Sequence, residues 1–107
     1  MGTDLICVHT TTDTHERALA LGRAIVERQL GACVQVSRID SVYRWEGEVR
    51  TEPEFRLLVK TTRARYAQVE AVLRELHPYE LPAIWAVEIA LAEPGYAQWV
   101  RDGATGT

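Results

Sequence analysis

The run His77-Pro78-Tyr79-Glu80-Leu81-Pro82 sets an imidazole, a phenol and a carboxylate in one short segment that contains two prolines. Each proline fixes its own φ and pushes the residue before it, His77 or Leu81, out of the helical region, so the segment is a stiff turn without tertiary help. Its three side chains offer metal ligation or proton transfer. The structural alternative is a helix stop in which His77 caps carbonyls, Tyr79 packs and Glu80 is solvated. Sequence pattern alone leaves these two readings balanced.

Other residues carry weaker chemical signals. Lys60 follows Arg56-Leu57-Leu58-Val59 at the end of an expected central strand, where an ammonium is poised for an anion, although a lysine snorkelling to water is the commoner case. Cys33, between Ala32 and Val34, reads first as a small buried hydrophobe and only second as a ligand. Tyr43, Trp45, Trp85, Tyr96 and Trp99 offer aromatic walls for a pocket, yet Tyr96, Trp99 and Val100 recur at helical spacing and more simply anchor a tail helix. His9 and His15 stand six apart, a spacing that matches no metal motif.

These groups must be placed by a small set of elements. Leu5 to Thr11 reads as a strand, and Asp13 and Glu16 have capping-box spacing ahead of a helix that runs toward Gly31. Ala32 to Ser37 and Val42 to Trp45 alternate as one long or broken strand. Glu46-Gly47-Glu48 supplies the turn of a hairpin, and Val49 to Thr62 returns, with Pro53 marking an edge or bulge. A second helix spans Arg63 to Leu76, a fourth strand Ile84 to Ala90, and a short helix follows Pro94-Gly95. Strand, helix, strand, repeated across a projecting hairpin, is an α+β ferredoxin-like βαββαβ sandwich with a C-terminal helix. Its helices are expected on one face only, so the other face needs a cover, and a closed homo-oligomer is the simplest one.

Composition narrows the classes. The chain has 107 residues, a net charge of −3, and 47% hydrophobic and 25% charged residues, which fits one domain over 1–107 with a core of about 4–101 and a flexible tail at 102–107. That charge leaves no basic footprint for nucleic acid or an anionic membrane. Two cysteines are too few for a disulfide scaffold. The opening Met1-Gly2-Thr3-Asp4 has no basic start, and no stretch approaches the ~20 apolar residues of a membrane span, so the expected location is the cytoplasm.

In order, Gly31-Ala32-Cys33-Val34, Tyr43-Arg44-Trp45-Glu46-Gly47-Glu48, Leu57-Leu58-Val59-Lys60-Thr61 and His77 through Pro82 resemble the signature blocks of the CutA family of divalent-cation tolerance proteins. Tyr96 and Trp99 stand where that family has a tyrosine and a tryptophan. The resemblance covers about residues 4 to 101 and implies a cytoplasmic homotrimer with interlocking hairpins, similar in architecture to the PII signalling proteins. It also implies clefts between subunits, lined by Cys33, Tyr43, Trp45, Lys60, His77, Tyr79, Glu80 and Trp99. Copper ligation in the family, by a cysteine near the end of the first strand together with the histidine before Pro-Tyr, maps the histidine onto His77 and the cysteine onto Thr10. Loss of that thiolate favours Cu(II) or Zn(II) over Cu(I), with His77 as ligand and Glu80 or a tyrosine in support. A PII-like sensor, holding a small anion on Lys60 against Tyr43 or Trp45, is the alternative. An enzyme ranks last, because no nucleophile constellation is recognised.

Overall fold

The computed structural model describes residues 3–106. Four strands, β1 (Leu5–Thr12), β2 (Cys33–Trp45), β3 (Glu48–Thr62) and β4 (Ile84–Glu88), form a single antiparallel sheet in the order β2-β3-β1-β4. Helices α1 (His15–Glu27) and α2 (Tyr66–Leu76) lie on one face of it, and α3 (Pro94–Gly103) closes the chain. This is the expected ferredoxin-like βαββαβ arrangement.

Alternation along the strands sorts the core. Ile6 and Val8 of β1 and Leu57 and Val59 of β3 point toward the helices, where they meet Ala18, Leu21 and Ile25 of α1 and Val69, Val72 and Leu73 of α2. Each such Leu, Ile or Val contributes about 1.5–3 kcal/mol on burial, so this layer holds the sheet to its helices. Gly31 is required here by space: a Cβ would come within 2.8 Å of Val59 Cγ1 and 2.9 Å of Ile25 Cγ2.

Several boundaries differ from the sequence reading for local reasons. The N-cap of α1 is Thr14, whose hydroxyl accepts from the Arg17 N–H at 3.1 Å, while Asp13 pairs instead with the Arg17 guanidinium. β2 is unbroken. Glu46 and Gly47 both adopt left-handed φ, 51° and 81°, as a two-residue turn between right-twisted strands requires. Pro53 sits opposite Asp40 in continuous register, so there is no bulge. It lies beyond Thr12↔Phe55, the last β1–β3 pair, where β3 has no second neighbour and a missing N–H breaks no ladder. From Ile39↔Glu54 to Trp45↔Glu48 the hairpin therefore projects alone.

The second face of the sheet is partly covered, not fully bare. Leu5 points away from α1 and α2, and Ala97 and Val100 of α3 bury it. Tyr96 and Trp99, expected as the anchors of this helix, face outward and stack on each other with ring centroids 6.0 Å apart. The expected flexible tail is corrected for residues 102–106. Asp102 and Gly103 complete α3, Ala104 is buried with its carbonyl accepting from Arg65 Nε, and the Gly106 N–H donates to the Gln29 carbonyl at 2.7 Å. Thr107 lies outside the described residues. Over the rest of this face His9, Leu58, Trp85 and Val87 have no helix above them, and Trp85 is 50% exposed.

Candidate functional site

Pro78 forbids a helical His77, and the residue takes φ −76° and ψ 136°, which ends α2 and turns its ring toward β1. There the imidazole is fixed from both sides. Nδ1 accepts the Tyr79 N–H at 3.1 Å, and Nε2 donates to the Thr11 carbonyl at 2.7 Å, which requires the neutral Nε2–H tautomer. Burial holds its pKa below the usual imidazole value, opposed by the Thr11 hydrogen bond and by the Asp13 and Glu54 carboxylates. His77 thus does not cap the helix; it ties the proline turn to the sheet. Thr10 Oγ1 lies 3.4 Å from the same Nε2, so the position that counting assigned to the family cysteine does stand beside this ring.

The turn also walls a groove at the foot of the hairpin, about 670 Å³ in volume. Tyr43 and Trp45 of β2 line it, with Arg50, Glu52 and Glu54 of β3 on the same face of the hairpin and Tyr79 and Glu80 from the turn. The Tyr79 hydroxyl donates to Glu54 Oε2 at 3.0 Å. Burial and then this bond push the phenol well above its ordinary pKa, so Tyr79 is a donor and not a base. Arg50 leans toward Glu48, Nη2 to Oε2 3.9 Å, and its Nε is buried with no hydrogen-bond partner among the described residues.

Of the residues singled out in the sequence, His77, Tyr79, Glu80, Tyr43 and Trp45 come together at this end of the molecule. Cys33, Lys60 and Trp99 do not. Cys33 and Lys60 face each other across β2 and β3, and Cys7 faces Lys60 across β1. Tyr43 is ten residues farther along β2, roughly 30 Å at the rise of a strand. An anion held by Lys60 and stacked on Tyr43 is therefore not assembled within one chain. Lys60 Nζ instead donates to Gln35 Oε1 at 2.8 Å. Cys33 is half-buried, Cys7 is buried, and both are free thiols.

Glu52, Glu54 and Arg50 were missed in the sequence, although counting pairs back from the Glu46-Gly47 turn places Arg50 opposite Tyr43 and Glu52 opposite Ser41. As a resident metal centre the donor set of one chain does not fit. Among the described residues no group of three or more His, Cys, Asp or Glu is placed to hold an ion, and both His77 nitrogens are occupied by backbone. Among the described residues no helix is long and apolar enough to cross a membrane.

Residues 6–103 match the family described as CutA1 divalent ion tolerance protein. The divalent-cation tolerance protein CutA of Thermotoga maritima is 36% identical over 98 residues, 92% of this chain and 97% of that protein. The structure of CutA from Synechococcus elongatus superposes with a TM-score of 0.94 at 32% identity, covering 98% of this chain and 95% of that one. The periplasmic divalent cation tolerance protein CutA of Archaeoglobus fulgidus gives 0.91 at 27% identity, covering 94% and 98%.

Proposed function

The chain belongs to the CutA family of divalent-cation tolerance proteins, and on that footing we propose that it works as a cytoplasmic homotrimer in the response to divalent metal ions, with His77 as the metal-contacting residue and Glu80 in support. The observation that carries this reading is the 3.4 Å approach of Thr10 to His77. It puts a hydroxyl where the family resemblance puts a thiolate, so the pair suits Cu(II) or Zn(II) and not Cu(I). A metal on the ring must displace the Thr11 carbonyl or the Tyr79 N–H. At about 1 kcal/mol net per hydrogen bond, that lowers affinity roughly fivefold against a free imidazole.

Support for the homotrimer comes from exposed apolar surface and from the split of the cleft residues. Val42 is 69% exposed, Trp45 45% and Leu91 88%, apolar surface that contact between copies would take out of water. His77, Tyr79, Glu80, Tyr43 and Trp45 lie at one end of the sheet and Cys33, Lys60 and Trp99 toward the other, so a cleft containing all of them needs more than one copy. Two free thiols support the cytoplasm.

Titration calorimetry with Cu(II) and Zn(II) on the wild type and on His77→Ala tests the reading. Heat lost in the variant is expected; identical isotherms would sink it.

A further inference from the structure

The chain has a single lysine, Lys60, among 12 lysine and arginine residues, and only two cysteines, Cys7 and Cys33. The fold sets these three side chains in one row. Cys7 of β1 and Cys33 of β2 are the direct partners of Lys60 on either side of β3. All three point away from α1 and α2, since their neighbours Ile6, Val8, Val34 and Val59 face those helices. The only side-chain primary amine thus stands between the only two thiols.

The two thiols cannot join each other. They stand two strands apart, roughly 10 Å at the spacing of a sheet, beyond the reach of a disulfide. Each instead has Lys60 beside it, with Cβ atoms about 5 Å apart in a cross-strand pair. Access separates the two. Cys7 is buried, and burial pushes its pKa up against the opposing charges of Lys60 and Arg56, whereas Cys33 is half-buried and open to a reagent. Lys60 Nζ is held by one neutral acceptor, Gln35 Oε1 at 2.8 Å, and among the described residues no carboxylate lies within ion-pair distance of it.

We propose that Cys33 and Lys60 form an acyl-relay site, at which Cys33 takes a small acyl group from a thioester and passes it to Lys60. In the first step the Cys33 thiolate attacks the thioester carbonyl, a new C–S bond replaces the old one, and the donor sulfur leaves as its thiolate. In the second the unprotonated Lys60 nitrogen attacks the same carbonyl and the C–S bond breaks. The amine proton passes to the Cys33 sulfur, which regenerates the thiol and leaves an amide on Lys60. No oxidant or reductant enters. The relay outruns direct attack because an ordinary thiol is a few per cent thiolate at pH 7, while an ordinary lysine is under about 0.1% amine. An acyl carbon already bonded beside the amine gives that small fraction a high effective concentration. The product removes the charge of the only lysine. This site makes no use of His77 or of a metal, so its failure leaves the reading above untouched.

S-Acetyl-N-acetylcysteamine is the probe, and peptide mass mapping with and without hydroxylamine, which cleaves thioesters and spares amides, is the readout. Wild type, Cys33→Ser, Cys7→Ser and Lys60→Arg are compared, with circular dichroism to confirm folding. Each rate at Lys60 is divided by the rate with acetyl N-hydroxysuccinimide ester, which acylates amines directly, so that a change in amine exposure cancels. In the wild type a hydroxylamine-labile acetyl on Cys33 should precede a stable one on Lys60. Cys33→Ser should slow Lys60 acetylation about tenfold or more, Cys7→Ser less than about twofold, and Lys60→Arg should leave the acetyl on Cys33. Thioester acetylation of Lys60 that is as fast in Cys33→Ser as in the wild type would overturn the inference. So would a wild-type acetyl that stays on Cys33, or none on either residue. If Cys33→Ser does not fold, the order of adducts in the wild type and their fate in Lys60→Arg decide the question.

Discussion

Replacing His77 should reveal a lock made of two hydrogen bonds. The ring supplies an acceptor to the Tyr79 N–H and a donor to the Thr11 carbonyl in a half-buried place that water reaches only in part. His77→Ala removes both and leaves two backbone groups poorly paired, at about 1 kcal/mol each, so roughly 2 kcal/mol of stability should be lost. In a domain of this length that is on the order of 10 °C in Tm. The shape of the series is more diagnostic than its size. His77→Asn can place its carbonyl near the position of Nδ1 and keep the Tyr79 bond, whereas His77→Gln can place its amide near Nε2 and keep the Thr11 bond. Each should lose about half as much as Ala. The pH dependence follows from the sign of the shift. The folded pKa lies below the unfolded value, so the contribution is complete above about pH 6.5 and declines as pH falls below it. Urea unfolding at pH 8 and at pH 5 reads both effects. An Ala variant within about 0.5 kcal/mol of wild type at pH 8, or Asn and Gln variants as damaged as Ala, would refute the lock.

Two further changes probe the neighbourhood and the core. Thr10→Cys sets a thiol beside His77 Nε2 in a buried site, and competition with a chromogenic Cu(I) chelator should show at least about tenfold tighter Cu(I) binding; no change would mean that the two side chains do not share a ligand. Gly31→Ala drives a methyl into Val59 and Ile25, both fully buried, and should lower stability by about 1–3 kcal/mol in urea unfolding; a loss under about 0.5 kcal/mol would show that this close approach relaxes freely.

Much of the fold was legible because its signals are local. Gly47 marked the turn, Pro78 the end of α2, and the alternation of Val34 and Val36 the face of β2 that meets the helices. Misplaced boundaries had local competitors: Thr14 out-competed Asp13 as the cap, and Gln29, not a glycine, took the left-handed position after α1. The site was legible only in part. His77, Tyr79 and Glu80 share a turn, so their types were visible, but what they touch is set by partners 25 to 67 residues away, Glu54, Thr11 and Thr10. The tail was misread because its ties run to Gln29 and Arg65, which composition does not reveal.

Imidazole nitrogen NMR of the assembled protein during a Zn(II) titration tests the central proposal at the residue that carries it. Before metal, His77 should show the neutral Nε2–H tautomer; as Zn(II) is added, its ring nitrogens should shift while those of His9 and His15 stay in place. A His77 spectrum that does not move at saturating Zn(II), or shifts confined to His9 or His15, would contradict the assignment of His77 as the metal-contacting residue.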